Sequence, residues 1–489
     1  MLQIIKNFPI ILLIMFSRNT YIKRRTKLAH NLKKGFVLFL GHQNSPMNFS
    51  HNAYPFVQET NFLYYVGVDL PNCACLIDIE NNKTIFYMKE TTIHDIIWIG
   101  KTKSAESWGD DCGAEKIKSM KDLSKDLNKK SNIMFPPIFR SENKIQISEL
   151  LNISLNEVEK KSSVSLINAI IKQRSIKSTE EIDEIKSALK ITNIMHQLAM
   201  KKSRPGKYEY EIVANMEELI KQNNLNLAYP IIFTTNGQIL HNSIYTNKIN
   251  DGDLLLNDSG ANSKLHYASD ITRTFPANGK FTNKQKNIYL IVKEMQEVVL
   301  KELKPGVNFK EMHKLSAYIG IKRLNELGLL KGSCEESLEK GVYGLFYPHG
   351  LGHMLGLDVH DMESLGEDYV GYSEKIKRDA EFGISFLRLG KKLENGFCIT
   401  VEPGIYFIPE LFNQWKNEKK YSHLINYDKF NQYMDFGGIR IEDNIQRSHG
   451  AAIGSNGRRN SGRPREIHEA PAAVDDGTHG DTAAAAMAP

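Results

Sequence analysis

The sequence predicts a two-domain α/β protein with a disordered C-terminal tail. A smaller α/β domain over residues 15–165 is followed by a linker over 166–177. A larger α/β domain over 178–447 is built from two related halves, packed about a pseudo-twofold axis around a mostly antiparallel sheet. Three observations carry this expectation. With 489 residues, 41% hydrophobic and 25% charged, the chain is long enough to bury two cores and has an ordinary soluble composition. Its first third mixes short helical stretches with the apolar runs GFVLFLG, CACLIDI and KTIFYM. The remainder runs through one order of elements twice.

In the N-terminal domain, CACLIDI and KTIFYM are separated by Asn81-Asn82, a hairpin spacing. Cys73 and Cys75 share one face of the first of these strands and read as small apolar core residues. His42, His51 and His94 occur singly and read as structural or surface residues, so this domain serves as scaffold, oligomer contact or a wall of the active site. The repeat begins at Ser178-Thr179-Glu180-Glu181, a capping box that opens a helix with apolar positions Ile182, Ile185, Leu189 and Leu198 and stops at Arg204-Pro205-Gly206. Thr282-Asn283-Lys284-Gln285 opens a second such helix, which stops at Lys304-Pro305-Gly306. Another helix follows each Pro-Gly, YEYEIVANMEELIKQ in one half and FKEMHKLSAYIGIKRL in the other. Acid-bearing strands come next: LLLNDSG is echoed by CITVEPG, and YASDITRTF by GIRIEDNI.

Both ends of the chain differ from its body. FPIILLIMF is short for a membrane span, and Ser17-Arg18-Asn19 lacks the small-residue pattern of a cleavage site. Met15 begins MFSRNTYIKRRTKL, an ordinary start with a capped helix, so residues 1–14 read as an extension or a misplaced start. From Ser448 to Pro489 lysine and aromatic residues vanish and Ala, Gly and Arg dominate, which predicts disorder in a native tail, a fusion scar or a frameshift product.

Charge and cysteine content exclude several classes. A formal net charge of +6, from 63 basic and 57 acidic residues, is too weak over this length to indicate a nucleic-acid partner. Lys23, Arg24, Arg25 and Lys27 form the clearest basic cluster and read as a solvated helix face. Five cysteines without a CxxC pair support neither a disulfide framework nor a zinc knuckle, and fit a reducing, cytoplasmic setting.

Chemistry concentrates in Asp258, Asp270, His353, Glu402 and Glu442. Each interrupts an apolar or glycine-rich run: LLLNDSG, YASDITRTF, HGLGHMLGLDVHD, ITVEPGIYF and GGIRIEDNI. A carboxylate in a buried strand is costly unless it is paired or bound to a cation. Four carboxylates and one imidazole suit a pair of hard divalent cations. His349 and His353 are four apart, but the glycines of HGLGH argue against a regular helix there.

At these residues the chain resembles the pita-bread metallopeptidases, in the proline-specific branch of aminopeptidase P and prolidase. The matching stretches are DSGANSKLHYASDITRTFPANGKFT, PHGLGHMLGLDVHD, LRLGKKLENGFCITVEPGIYF and FGGIRIED, and the resemblance covers roughly residues 20 to 445. It implies a dinuclear site, typically of manganese, with cobalt and zinc as alternatives. Asp270 and Glu442 would bridge both ions, Asp258 would chelate one, and His353 and Glu402 would hold the other. It also implies that His241, His349 and His360 face the substrate, that Arg440 supports Glu442 or the adjacent carboxylates, and that Arg388 contacts a substrate carboxylate. A hydroxide between the metals would attack the scissile carbonyl, Glu402 would pass the proton to the departing proline nitrogen, and His360 or His349 would donate to the oxyanion.

The activity implied is removal of an N-terminal residue that precedes proline, by a soluble homo-oligomer (dimer or tetramer) that binds no nucleic acid or membrane. The alternatives are an Xaa-Pro dipeptidase, toward which Arg388 leans, and a non-catalytic binding protein on the same fold, against which the complete ligand set argues. Three departures from the family pattern are Asn257 where an apolar residue is usual, the abrupt change after Gln446 in the closing strand, and the unmatched N-terminal extension.

Overall fold

A computed structural model of the chain describes residues 15–49 and 51–446 and the backbone of Arg465–Glu466. The expected extension over 1–14 lies outside the described residues. So does the expected disordered tail over 448–489, apart from Arg465–Glu466, a short strand that pairs with Ile445 and Gln446.

The N-terminal domain is a five-stranded sheet of β1 (Phe36–Leu40), β2 (Cys73–Asp78), β3 (Lys83–Met88), β4 (Lys116–Ser119) and β5 (Ile133–Met134), in the order β4-β3-β2-β1-β5. As the Asn81-Asn82 spacing predicts, β2 and β3 pair antiparallel, and Asn82 takes the turn at φ 47°, a left-handed conformation asparagine tolerates. Alternation divides the side chains between two cores. Val37, Phe39, Cys73 and Cys75 enter one, and Leu38, Leu40, Ala74 and Leu76 the other, so both faces of the sheet are covered. The cysteines of the described chain are all unpaired, and no described helix is long and apolar enough to cross a membrane.

Helix α1 (Arg18–Leu32) overturns the reading of the basic cluster as a solvated face. Lys23 and Lys27 are exposed, but Arg24 and Arg25 are buried. Arg24 donates to the Tyr64 carbonyl at 2.9 Å and the Tyr267 hydroxyl at 3.3 Å, stacks on the Tyr64 ring, and lies 3.7 Å from Glu181. Arg25 donates to the carbonyls of Tyr65, Cys112 and Gly113 at 2.7–2.9 Å. Fixed guanidinium donors can satisfy buried carbonyls, so these arginines tie the first helix to the rest of the domain and, through Tyr267, to the second domain. Ser17 occupies the N-cap position of α1, but its hydroxyl meets Thr20 instead of capping a backbone N–H.

The connection between domains is largely helical, in α2 (Val164–Arg174). The first half of the C-terminal domain contains α3 (Thr179–Lys202), α4 (Glu209–Gln222), β6 (Ile232–Thr234), β7 (Leu254–Ser259) and β8 (Ile271–Pro276). Its second half contains α5 (Asn283–Glu302), α6 (Phe309–Glu326), β9 (Cys398–Val401), β10 (Gly404–Tyr406), β11 (Gly438–Arg440) and β12 (Asp443–Gln446). Both predicted capping boxes form: the Ser178 hydroxyl accepts from Glu181 N–H while the Glu181 carboxylate accepts from Ser178 N–H, and Thr282 and Gln285 repeat this. Each capped helix ends just before its Pro-Gly, where Gly206 and Gly306 turn the chain at φ 96° and 94°.

The strands of this domain pair antiparallel, β6 with β7, β7 with β8, β9 with β12, and β10 with β11. The halves meet where Thr272 bridges Glu442, with Glu442 N–H donating to the Thr272 carbonyl at 3.1 Å. Arg273 crosses the same seam to the Asp443 carboxylate and the Glu442 carbonyl, both at 2.7 Å. The closing strand β12 pairs with β9 along its whole length despite the compositional change that follows it.

A buried charge cluster fastens α2 to the loop beyond His360. Arg174 and Lys177 donate to the two oxygens of Asp361 at 2.7 and 2.8 Å, and Arg174 also reaches Asn61 of the N-terminal domain at 2.6 Å. Burial works to raise the Asp361 carboxyl, but Lys177 and Arg174 hold it below the ordinary carboxylate range. The resulting stability is present above the unfolded-state pKa of about 4 and is lost as pH falls through the lower folded-state value. Asp361→Ala should therefore cost about 3–5 kcal/mol by urea unfolding at pH 7, because it strands two buried cations. The difference from the unsubstituted chain should shrink as the medium is made more acidic than about pH 4.

Candidate active site

The acids sit at strand ends, where the backbone is fixed and a side chain can leave the sheet. Asp258 is on β7 opposite Thr272, Asp270 immediately precedes β8, Glu402 follows β9, and Glu442 precedes β12. His353 comes from the irregular loop after Tyr347. Donor atoms of Asp270, His353 and Glu442 lie within 4.8 Å of one another. The His353 Nε2 is 3.3 Å from Asp270 Oδ2 and 3.5 Å from Glu402 Oε1. Asp258 joins them through Tyr229, whose hydroxyl is bonded both to Asp258 Oδ1 at 2.6 Å and to Asp270 Oδ1. The five predicted ligands thus share one buried space.

The site is held by neighbours two residues away on the same strand face. Thr272 donates to Glu442 Oε2 at 2.6 Å, and Thr400 donates to Glu402 Oε1 at 3.2 Å while accepting the His353 backbone N–H at 3.0 Å. Arg440 donates to Asp258 Oδ2, to the Tyr406 hydroxyl at 3.0 Å and to Thr272 at 3.1 Å, so it supports an adjacent carboxylate and not Glu442 directly. Asn257 alternates away from Asp258 and meets His196 of α3 at 3.1 Å, which gives its amide a partner in the helical layer.

Glycines let the histidine loop lie against the strand. A Cβ on Gly352 would come within 2.1 Å of the Thr400 carbonyl oxygen, and one on Gly350 within 2.8 Å of the Leu387 Cα. The His353 Nδ1 lies 3.0 Å from the Met354 carbonyl, which assigns the proton to Nδ1 and leaves Nε2 facing Asp270 and Glu402.

A cleft of about 1080 Å³ opens over these residues, and the remaining predicted residues line it. His241 lies exposed at its rim. The His360 ring stands edge-on to His353 with centroids 4.4 Å apart. His349 uses both nitrogens, with Nδ1 2.8 Å from the Gly350 carbonyl and Nε2 2.8 Å from the Tyr406 hydroxyl. Arg388 lines the wall, paired with Glu363 and Glu367. The described cleft-lining residues all belong to the C-terminal domain, so within one chain the N-terminal domain does not wall it. Tyr229, Thr272, Thr400 and Tyr406 escaped the sequence reasoning. Strand alternation, counting two residues from Asp270 and Glu402, marks both threonines, but no local pattern marks either tyrosine.

Burial and crowding shift the titratable groups of the cage. Burial, with Asp270 beside it, lifts Asp258 to about 6 even though Arg440 opposes the rise. Burial and the neighbouring Asp270 raise Glu402 to about 7 against the pull of His353, and burial with the surrounding carboxylates takes Glu442 far above the ordinary range. Burial disfavours the His353 imidazolium, but Asp270 and Glu402 hold it up at about 9. His349 is lowered to about 3 by burial and by Arg440, and so is neutral. The Glu442 Oε1 is buried with no hydrogen-bond partner. Crowded hard oxygen donors, an imidazole nitrogen aimed among them and an orphaned carboxylate oxygen fit divalent cations.

A convergent carboxylate and imidazole cage at the floor of a peptide-sized cleft defines a metal-dependent hydrolase. Residues 183–447 match the model of metallopeptidase family M24, and residues 21–133 match that of the aminopeptidase P N-terminal domain. A probable Xaa-Pro aminopeptidase of Podospora anserina is 35% identical over 398 residues, covering 80% of this chain and 83% of that protein. The human Xaa-Pro dipeptidase is 29% identical over 439 residues, covering 86% and 87%. Among solved structures, E. coli aminopeptidase P with the inhibitor Pro-Leu superposes with a TM-score of 0.74 at 26% identity, covering 93% of this chain and 95% of that one. The chain belongs to metallopeptidase family M24.

Gly352→Ala should push the histidine loop off β9 and weaken metal binding by at least about tenfold, the scale of losing ligand orientation, as read by titration of the chelator-treated protein with manganese. Manganese should raise the Tm of the unsubstituted chain. That rise should be absent in Glu442→Ala, which removes a central donor.

Proposed function

We propose that this chain is an Xaa-Pro aminopeptidase that hydrolyses the bond between an N-terminal residue and a following proline. The observation that carries the reading is the convergence of Asp258, Asp270, His353, Glu402 and Glu442 at the floor of one cleft. Names borne by its relatives supply the proline-directed substrate class. We place the catalytic unit at residues 178–447, preceded by a domain at 15–165.

Asp258, Asp270, His353, Glu402 and Glu442 would hold the two cations. Manganese is the proposed metal. When bound, such cations supply Lewis acidity toward the scissile carbonyl and make water acidic enough to be a nucleophile near neutral pH. Glu402, only partly buried and beside the cleft, takes the proton from the attacking water and passes it to the proline nitrogen as the C–N bond breaks. Of the two histidines assigned to the oxyanion, His360 is the better placed, since both His349 nitrogens are occupied by Gly350 and Tyr406. His349 and Tyr406 then serve to position, linking the cleft to Arg440 and through it to Asp258. His241 and Arg388 are assigned to substrate contacts.

A reducing compartment suits the unpaired cysteines, and we assign the protein to the cytoplasm as a homo-oligomer. Manganese-loaded protein should release the first residue from Xaa-Pro-Xaa tripeptides and leave Xaa-Ala-Xaa controls intact. Glu402→Gln should lower kcat by at least about a hundredfold. Equal cleavage of the alanine controls, or a variant with near-normal turnover, contradicts the assignment.

A further inference from the structure

Arg388 is a cation on the wall of a peptide cleft, suited to grip a free carboxylate with two N–H groups. Its charge is already countered through one of its nitrogens. Its Nη1 donates to Glu363 Oε2 in a short contact and to Glu367 Oε2 at 3.3 Å. Glu367 is shared with Arg378 and is 36% exposed at its side chain, whereas the Glu363 side chain is only 14% exposed. Glu363 is therefore the deeper counter-charge. It also stands 3.7 Å from His360 Nδ1, between that imidazole and the arginine. Met362, at φ 68° in the left-handed region, turns the chain into the short 3-10 helix that carries Glu363.

A dipeptide ending in proline brings a negative carboxylate into the part of the cleft beyond the scissile bond. Next to Arg388 that carboxylate meets the Glu363 charge in a partly desolvated setting, where like charges repel more strongly than in water. A longer peptide presents a neutral carbonyl, which accepts an N–H from Arg388 without adding charge. We propose that Glu363 is a specificity-determining residue, engaging Arg388 so that the cleft discriminates against substrates whose proline carries a free carboxylate. This rests on the proline-directed reading above and narrows it to peptides extending past proline.

The test compares manganese-loaded wild-type protein and Glu363→Gln on three substrates: Ala-Pro, its C-terminal amide and Ala-Pro-Ala. The wild type should favour the amide over the free dipeptide by on the order of tenfold in kcat/KM. Glu363→Gln should shrink that ratio by about the same factor, mainly through KM for the acid. The ratio cancels any loss common to both substrates that arises through His360. Competitive inhibition by proline and by prolinamide provides a readout that does not depend on turnover of the variant: proline should gain on prolinamide in Glu363→Gln. An unchanged ratio in both measurements, or a wild type that prefers the free dipeptide, overturns the role of Glu363. Wild-type protein that cleaves none of the three substrates instead overturns the proline-directed reading on which it rests.

Discussion

Four carboxylates occupy one buried space in which Arg440 and His353 are the neighbouring cationic partners, and the design of the domain follows from that imbalance. Hydrogen bonds do not remove it. Tyr229, Thr272 and Thr400 satisfy individual oxygens, yet burial and mutual repulsion still push Asp258, Glu402 and Glu442 upward, and Glu442 Oε1 has no donor. A buried carboxylate set is stable when cations complete it, and these side chains supply the oxygen donors that hard divalent ions prefer.

The fold delivers this set by symmetry of construction. Each half contributes acids from a pair of antiparallel strands, and the Thr272–Glu442 bridge brings the pairs together. His353 has no counterpart in this scheme. It comes from a loop that glycine alone lets approach β9, and the Met354 carbonyl fixes the nitrogen that faces the acids. Behind that loop, Arg174 and Lys177 grip Asp361, so the connection between domains also braces the segment carrying His360.

Much of this was legible in the sequence because it is local or periodic. Capping boxes, Pro-Gly stops, the Asn81-Asn82 hairpin and acids interrupting apolar runs all depend on near neighbours. The fate of Arg24 and Arg25 was not, since a basic run looks solvated until distant carbonyls at Tyr64, Tyr65 and Cys112 are brought to it. Tyr229 was missed for a similar reason: its bonds to Asp258 and Asp270 span 29 and 41 residues. Arg388 could be placed in the site from its motif, but its pairing with Glu363, 25 residues earlier, is a matter of tertiary geometry. Sequence pattern identified donors, and the structure was needed to say which charges they meet.

Whether this buried carboxylate cage holds a pair of divalent cations is decided by crystals of the manganese-loaded protein measured for anomalous scattering. The expectation is two peaks inside the space bounded by Asp258, Asp270, His353, Glu402 and Glu442. No peak there, or ions held elsewhere in a protein that is fully active, would contradict it.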